Sequence, residues 1–160
     1  MNKFTLSLKI PFSLLFCAIF MAFSWDMSLN EELVYIQNKL LEHYDSTHDE
    51  EPVKRYQLNV TNNGFCRYRK YYASGKVEYF SFNLVKFKEL DYYGTDQNGK
   101  LYLRTKGEQV IVQTYGDKRN GDIDSMANYM VIPLKNIEPQ DLVALSDRLI
   151  RMNALLLAQK

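Results

Sequence analysis

Cysteine and histidine, two residue types that enzymes use as nucleophile and general base, are rare in this sequence. The chain has two cysteines and two histidines, and its candidate pair is Cys66 as nucleophile with His43 as base. Such a pair produces a reactive thiolate when the fold brings the two side chains together. However, Cys66 lies within a strand-like run, and no glycine-framed nucleophile turn surrounds any serine. The favoured interpretation of Cys66 is therefore a small buried apolar residue.

Carboxylates provide a second chemistry, either as acid–base pairs or as metal ligands. Glu89 and Asp91 are two residues apart, a spacing that places them on one face of a strand by default. His48 lies in the acidic segment DSTHDEE, whose spacing matches no metal-ligand pattern. The segments DQNG and DKRNGDID do not have the ligand pattern of a calcium loop. We predict no metal, no cofactor and no catalytic residue, and a small enzyme using Cys66 or a carboxylate is the alternative.

The segment FCRYRKYYASGKVEYFSF, residues 65–82, is dense in aromatic and basic side chains. Such a segment can bind single-stranded nucleic acid through stacking and phosphate contacts. It equally fits a β-hairpin turning at Ser74-Gly75, with aromatic side chains packed across the strands and charges in water. We favour the hairpin, and an anionic polymer or glycan is the other ligand that such a patch would suit. The candidate ligand or partner surface consists of Arg67, Arg69, Tyr71 and Tyr72.

The charge balance of the chain argues against a polyanionic partner. The chain carries 20 Lys and Arg against 19 Asp and Glu. Lys3 and Lys9 lie in an N-terminal segment without acidic residues, so the remainder carries 18 positive against 19 negative charges. A balanced domain has no overall field that would hold a polyanion, and we predict no nucleic-acid partner.

The N-terminus has the features of an export signal. MNKFTLSLK supplies two lysines, the apolar block IPFSLLFCAIFMAFSW follows, and small residues at Ala22 and Ser24 favour cleavage near Ser24. The block contains Pro11 and is shorter than a membrane span of about 20 apolar residues. We therefore predict a signal peptide at residues 1–24 and an exported protein, which is periplasmic, envelope-associated or secreted. An uncleaved anchor at residues 10–25 that tethers the domain to a membrane is the alternative.

Hydrophobic periodicity predicts a helix at each end of the remaining chain. In residues 28–44, apolar side chains recur at steps of three and four, and Ser28 and Glu31 have the spacing of a capping box. Residues 139–158 have a second apolar stripe of helical period, and Asp141 lies where a negative charge suits the helix dipole. Each helix is therefore expected to bury one face against the rest of the domain.

Between the helices, residues 53–134 consist of short segments rich in β-formers and separated by turns such as Asn63-Gly64. Short, turn-linked segments favour antiparallel hairpins over parallel crossovers. Glu78 follows the turn at Ser74-Gly75 closely enough to pair with a basic residue across the hairpin. We predict a single α+β domain at residues 25–160. Its expected core is a bent antiparallel sheet or small barrel of about six or seven strands, with an N-terminal helix and a C-terminal amphipathic helix.

This order of elements resembles the pleckstrin-homology-like fold, in which a C-terminal helix caps a β-barrel. The resemblance covers residues 53–159 and leaves the first helix as an addition. It implies a module that binds phosphoinositides, peptides or proteins and performs no chemistry. The loop TNNG occupies the position of the phosphoinositide-binding loop but carries no Lys or Arg, so headgroup binding is not implied here. The chain also resembles small exported bacterial proteins of unknown function.

Together these features predict an exported, non-enzymatic domain with a binding or structural role in the bacterial envelope or outside the cell. Its expected partner is an unidentified protein or small molecule, bound in the groove between the sheet and a terminal helix. Contact with a membrane is expected only if the N-terminal segment is not cleaved.

Overall fold

The computed structural model describes residues 29–49 and 51–159 of the chain. The predicted signal peptide, the alternative anchor and the capping position Ser28 lie outside the described residues. The first helix, α1, spans residues 29–43 in the described part, and the second helix, α2, spans Pro139–Ala158. Among the described helices, none combines the length and the apolar character needed to cross a membrane.

Eight β-strands lie between the two helices in the described part of the chain. They are β1 (Val53–Val60), β2 (Phe65–Tyr72), β3 (Val77–Asn83), β4 (Phe87–Gly94), β5 (Asn98–Thr105), β6 (Val110–Tyr115), β7 (Asp124–Ala127) and β8 (Tyr129–Lys135). All pairings are antiparallel, and they form a five-stranded sheet in the order β1-β2-β3-β6-β7 and a three-stranded sheet in the order β4-β5-β8. The predicted α+β class, with antiparallel strands and a helix at each end, is confirmed.

The strand count differs from the predicted six or seven, and the described strands form no closed barrel. The additional strand is β7, which begins with Asp124 and Ser125 at the end of a polar stretch of sequence with two glycines. The edge position of β7, which pairs only with β6, explains the difference. Because three of its four residues are exposed, β7 lacks the alternation by which a half-buried strand is recognised.

The turn between β1 and β2 lies against α2. Gly64 has a φ of 82°, a conformation that glycine adopts at no steric cost, and its carbonyl accepts a hydrogen bond of 2.7 Å from the Leu84 N–H. A Cβ at this position would approach Leu156 Cδ1 to 2.5 Å. The predicted turn residue therefore serves two purposes, since it allows the tight turn and leaves space for α2.

The apolar stripe of α2 closes the core from one side. Its buried residues are Leu145, Leu149, Met152 and Leu156. They join one cluster with inward side chains of both sheets and of α1, including Ile36, Leu58 and Leu101. Burial of each such side chain contributes about 1.5–3 kcal/mol to folding, so the stripe is a major source of stability.

Residues of α1 and of the segment that follows it cover one edge of each sheet, at β1 and at β8. The Gln37 side chain donates a hydrogen bond of 2.7 Å to the Leu58 carbonyl and accepts one of 2.6 Å from the Val60 N–H, both on β1. The Asp45 N–H donates to the Pro133 carbonyl of β8 at 3.0 Å. Because edge strands expose unpaired backbone groups, these contacts join the two sheets on this side.

A buried carboxylate links the two helices. Glu32 is only 2% exposed, and its oxygens lie 3.2 Å from the guanidinium nitrogens of Arg148 and Arg151 on α2. At the other end of α1, Lys39 Nζ lies 3.0 Å from Asp141 Oδ1. Ion pairs near both ends of α1, with the carboxylate on α1 in one place and on α2 in the other, therefore fix the antiparallel arrangement of the two helices.

We expect Glu32→Gln to lower the free energy of unfolding by about 1–3 kcal/mol, because two guanidinium groups lose a charged acceptor and the site is buried. The matched substitution Glu31→Gln changes an exposed neighbour and should alter stability by less than about 0.5 kcal/mol. Urea denaturation followed by circular dichroism measures both. Equal midpoints for the two variants would contradict the role assigned to Glu32.

Candidate functional site

The predicted hairpin of β2 and β3 is present, but its side chains divide between two faces. Cys66, Tyr68, Lys70 and Tyr72 point inward, while Phe65, Arg67, Arg69 and Tyr71 point outward. Of the four residues predicted to form one ligand surface, Arg67, Arg69 and Tyr71 thus lie on the outer face and Tyr72 lies on the inner face. Strict alternation along a strand is the reason, since adjacent residues cannot share a face.

The pairing predicted for Glu78 is present, with Lys70 as the cross-strand partner. Lys70 Nζ lies 2.8 Å from Glu78 Oε2. The expectation that the hairpin's charges point to water is wrong at this position, because Lys70 is only 8% exposed. Its inward position follows from its place in β2 between Tyr68 and Tyr72, with which it shares a face.

Five side chains form a connected polar group on the inner face, which we call the Lys70 cluster. Lys70 Nζ lies between Glu78 Oε2 and Asp49 Oδ1, the latter at 3.0 Å. Lys76 Nζ lies 2.9 Å from Glu78 Oε1, and the Tyr72 hydroxyl donates to Glu78 Oε2 at 2.8 Å. Glu78 therefore accepts three charge-assisted or hydroxyl hydrogen bonds.

These contacts determine the electrostatics of Glu78. Burial by itself would raise the pKa of this carboxyl group, but the hydrogen bonds and positive charges of Lys70 and Lys76 outweigh burial and lower the pKa below its usual value of 4.5. Glu78 is therefore ionised at neutral pH and compensates the buried ammonium of Lys70.

Two cavities meet at the Lys70 cluster. The first, of about 760 Å³, is lined by charged and polar side chains and is called the polar cavity here. The second, of about 440 Å³, is called the apolar cavity and is lined mainly by Phe80, Tyr102, Val112, Ala127, Tyr129, Val131 and Pro133. The polar side chains of His48 and Lys100 also line it. Asp49 and Lys70 line both. Both volumes lie within the range of small-molecule sites, about 300–1,000 Å³.

Asp49 has an unused acceptor at this junction. Its Oδ1 binds Lys70, but its Oδ2 is buried and has no hydrogen-bond partner among the described residues. The side chain as a whole is 22% exposed, so the carboxylate lies at the cavity wall and the buried oxygen is the part of it withdrawn from solvent. A buried carboxylate oxygen without a donor is costly, so this atom is an acceptor with unused hydrogen-bonding capacity beside the two cavities.

The candidate nucleophile and base are not arranged for catalysis. Cys66 is 1% exposed and packs with its sulfur 4.0 Å from that of Met130. Burial raises the pKa of its thiol to about 12, so the thiol is protonated at neutral pH. His43 is at the end of α1, with its ring Nδ1 3.2 Å from the Lys135 carbonyl oxygen. This agrees with the interpretation of Cys66 as a buried apolar residue.

The candidate carboxylates are engaged in local pairs. Glu89 lies 2.8 Å from the neighbouring Lys88, and Asp91 forms an ion pair with Arg104 on β5. In the acidic loop, His48 is exposed. Within residues 29–49 and 51–159, no group of three or more His, Cys, Asp or Glu side chains is arranged to hold a metal ion.

Sequence reasoning missed Asp49 and Lys76 as members of the site, and it missed the apolar cavity entirely. The signal for Lys70 was present in the alternation of β2, where a lysine occupies an inward position between two tyrosines. No comparable signal marked Asp49, because its contact with Lys70 joins residues that are 21 positions apart in the chain.

Comparison with known proteins adds no relative to this description. No protein-family model, no curated protein and no solved structure matches the chain. The resemblance to the pleckstrin-homology-like fold stays a prediction.

We expect Glu78→Gln to lower the free energy of unfolding at pH 7 by about 1–3 kcal/mol, because Lys70 and Lys76 lose a charged acceptor. The folded-state pKa of Glu78 lies below 4.5, so its stabilising contribution is present above this pH and is lost as the pH falls through the folded-state pKa. The deficit of the variant should therefore shrink between pH 7 and pH 3. Urea denaturation across this range measures it.

Glu108→Gln is the matched control for this experiment, because Glu108 is exposed in the turn after β5. We expect that variant to have nearly the stability of the parent at neutral pH. A deficit of Glu78→Gln that stays constant across the pH range would refute the ionised state assigned to Glu78.

Proposed function

We propose that this chain is an exported, non-enzymatic binding domain whose ligand occupies the polar and apolar cavities. The observation that carries the proposal is the junction of the two cavities at Lys70 and Asp49, where a buried carboxylate oxygen has no donor among the described residues. A binding site typically combines a concave apolar wall with a few polar groups that fix the orientation of the ligand. The junction has both features.

The apolar cavity favours a ligand with a flat or aliphatic body. Tyr102 and Tyr129 form one part of its wall, with ring centroids 5.4 Å apart, and Phe80 and Val112 come from the five-stranded sheet. Aromatic walls bind ring systems through stacked or edge-to-face contacts. An aromatic or branched aliphatic group is therefore the expected body of the ligand.

The polar junction favours a ligand head that donates hydrogen bonds. Asp49 Oδ2 is an acceptor only, since the carboxylate oxygen carries no proton when ionised. Lys70 lies between the carboxylates of Asp49 and Glu78. A cationic ligand group at Asp49 Oδ2 would therefore share the Asp49 carboxylate with Lys70, which keeps its second partner in Glu78. A protonated amine satisfies these conditions, and we infer an amphiphilic amine as the ligand class.

The buried thiol of Cys66 supports binding rather than catalysis. A nucleophilic cysteine needs a lowered pKa and access to substrate, whereas burial raises the pKa of this thiol to about 12. Glu78 supports the same proposal, because its oxygens are occupied by Lys70, Lys76 and Tyr72.

Isothermal titration calorimetry with tryptamine tests the proposed site. We expect tryptamine to bind more tightly than 3-ethylindole, which has the same ring but no amine. Asp49→Asn should weaken tryptamine binding about tenfold, because a charge-assisted hydrogen bond is lost. The matched control is Asp96→Asn, because Asp96 is exposed in a turn and lines neither cavity. This variant should bind tryptamine as tightly as the parent protein does.

A second variant examines the apolar cavity. Ala127→Leu places additional carbon atoms in this cavity, and it should weaken tryptamine and 3-ethylindole alike. Equal affinities for both compounds would contradict the role of Asp49. The absence of any heat of binding, in a protein whose circular dichroism is unchanged, would contradict the site itself.

Export is tested separately by measuring the intact mass of the native protein in each cell fraction. We expect a soluble exported species that begins near Trp25, because the small residues at Ala22 and Ser24 favour cleavage there. A full-length mass confined to the membrane fraction would overturn export by a cleaved signal and would favour the uncleaved anchor at residues 10–25.

A further inference from the structure

The outer face of the five-stranded sheet carries three arginines in adjacent positions. Arg55 on β1 and Arg67 and Arg69 on β2 all point away from the core. Within the described part of the chain, none of the three forms an ion pair with a carboxylate. Among the outward side chains of this sheet, the single acidic one is Asp124, on the edge strand β7. The positive charge on β1 and β2 therefore has no carboxylate partner in the described part of the chain, and the acidic side chain of this face lies three strands from β2.

Aromatic rings hold these arginines in place. The guanidinium carbon of Arg55 lies 4.1 Å from the ring centroid of Tyr71, and that of Arg69 lies 4.7 Å from the centroid of Tyr79. The guanidinium of Arg67 lies 5.1 Å from the ring of Phe65. Cation–π contacts of this kind use the ring faces and leave most N–H groups of the guanidinium available to an external acceptor.

Amide and tyrosine side chains lie beside the arginines and on neighbouring strands of the same face. Gln57 accepts a hydrogen bond of 3.1 Å from the Tyr71 hydroxyl. Gln113 accepts one of 2.8 Å from the Tyr115 hydroxyl and donates one of 3.2 Å to Asp124 Oδ1. The strand register places Gln57, Arg69, Tyr79 and Gln113 in one row across four strands. The next row consists of Arg55, Tyr71, Val77 and Tyr115. Neighbouring rows are about 7 Å apart, since they are separated by two residues of a strand.

The arginines of this face also affect the pKa of the Tyr71 hydroxyl. The hydrogen bond from Arg69 and the charges of Arg69 and Arg55 lower the pKa of its hydroxyl, because a phenolate is favoured beside cations. Tyr115 is 48% exposed, so its ring is accessible to a partner. The face therefore offers positive charge, hydrogen-bonding amides and an accessible aromatic ring.

We propose that this outer face binds an acidic polysaccharide. Carboxylate groups of the polymer are held by Arg55, Arg67 and Arg69, in the paired geometry that guanidinium and carboxylate share. A sugar ring packs on Tyr115, and sugar hydroxyls exchange hydrogen bonds with Gln57 and Gln113. This site is separate from the two cavities, because the sheet lies between them.

The same observations favour a polysaccharide over single-stranded nucleic acid. A nucleic-acid surface normally adds a net positive groove that follows the phosphates, whereas this chain carries 20 positive and 19 negative side chains. A polymer with hydroxyl groups uses the amides of Gln57 and Gln113 as well as the arginines. Three arginines on a protein whose positive and negative charges nearly cancel suit a partner of moderate charge density.

Affinity gel electrophoresis of the full chain in gels containing polygalacturonate tests the proposal. We expect retardation that decreases with added salt and that disappears when the carboxylates of the polymer are methyl-esterified. Arg69→Gln should weaken the affinity about tenfold, because a bidentate charged contact is lost. Arg67→Gln, at a more exposed position, should weaken it in the same direction.

Lys106→Gln is the matched control, since it removes one positive charge from an exposed turn outside this face. It should bind as the parent does. Equal losses for Lys106→Gln and Arg69→Gln, equal retardation by the methyl ester, or no retardation by polygalacturonate would each overturn the proposal. Tighter binding of oligothymidylate than of polygalacturonate would identify a nucleic-acid surface and would overturn it as well.

Discussion

The closure of two free sheet edges by α1 and the residues after it is the constraint on which the rest of this structure depends. Backbone groups at a sheet edge need partners when they are covered by protein, because an unpaired buried N–H or C=O is costly. Gln37 supplies both a donor and an acceptor to β1, and the backbone of Asp45 supplies a donor to β8. With this side covered, the apolar side chains of both sheets and both helices form one continuous core.

The segment after α1, which contacts the edge strand β8, also places Asp49 at the inner face of the five-stranded sheet. Asp49 reaches Lys70 a few residues after the contact of Asp45 with β8. A buried ion pair is seldom a net source of stability, since desolvation offsets much of the attraction between the charges. The Lys70 cluster lies where the two cavities meet, which is the position of the proposed ligand site.

The two proposed binding surfaces lie on opposite faces of β2. The inward residues Tyr68, Lys70 and Tyr72 belong to the core and the cavities, and the outward residues Arg67 and Arg69 belong to the solvent-facing side. The sheet separates the two sets, so a ligand in the cavities and a polymer on the outer face would make no common contact. One short basic and aromatic segment thereby contributes to two chemically different environments.

Local patterns in the sequence were sufficient for the α+β class, the two amphipathic helices and the hairpin with Glu78 opposite a basic residue, because helical and strand periods are properties of neighbouring residues. These patterns did not identify β7, because most of its residues are exposed and it is a strand only through its pairing with β6. Only the tertiary structure decided the division into two sheets, the closure by Gln37 and the approach of Asp49 to Lys70. These features join residues more than 20 positions apart, and no local period encodes which distant groups will meet.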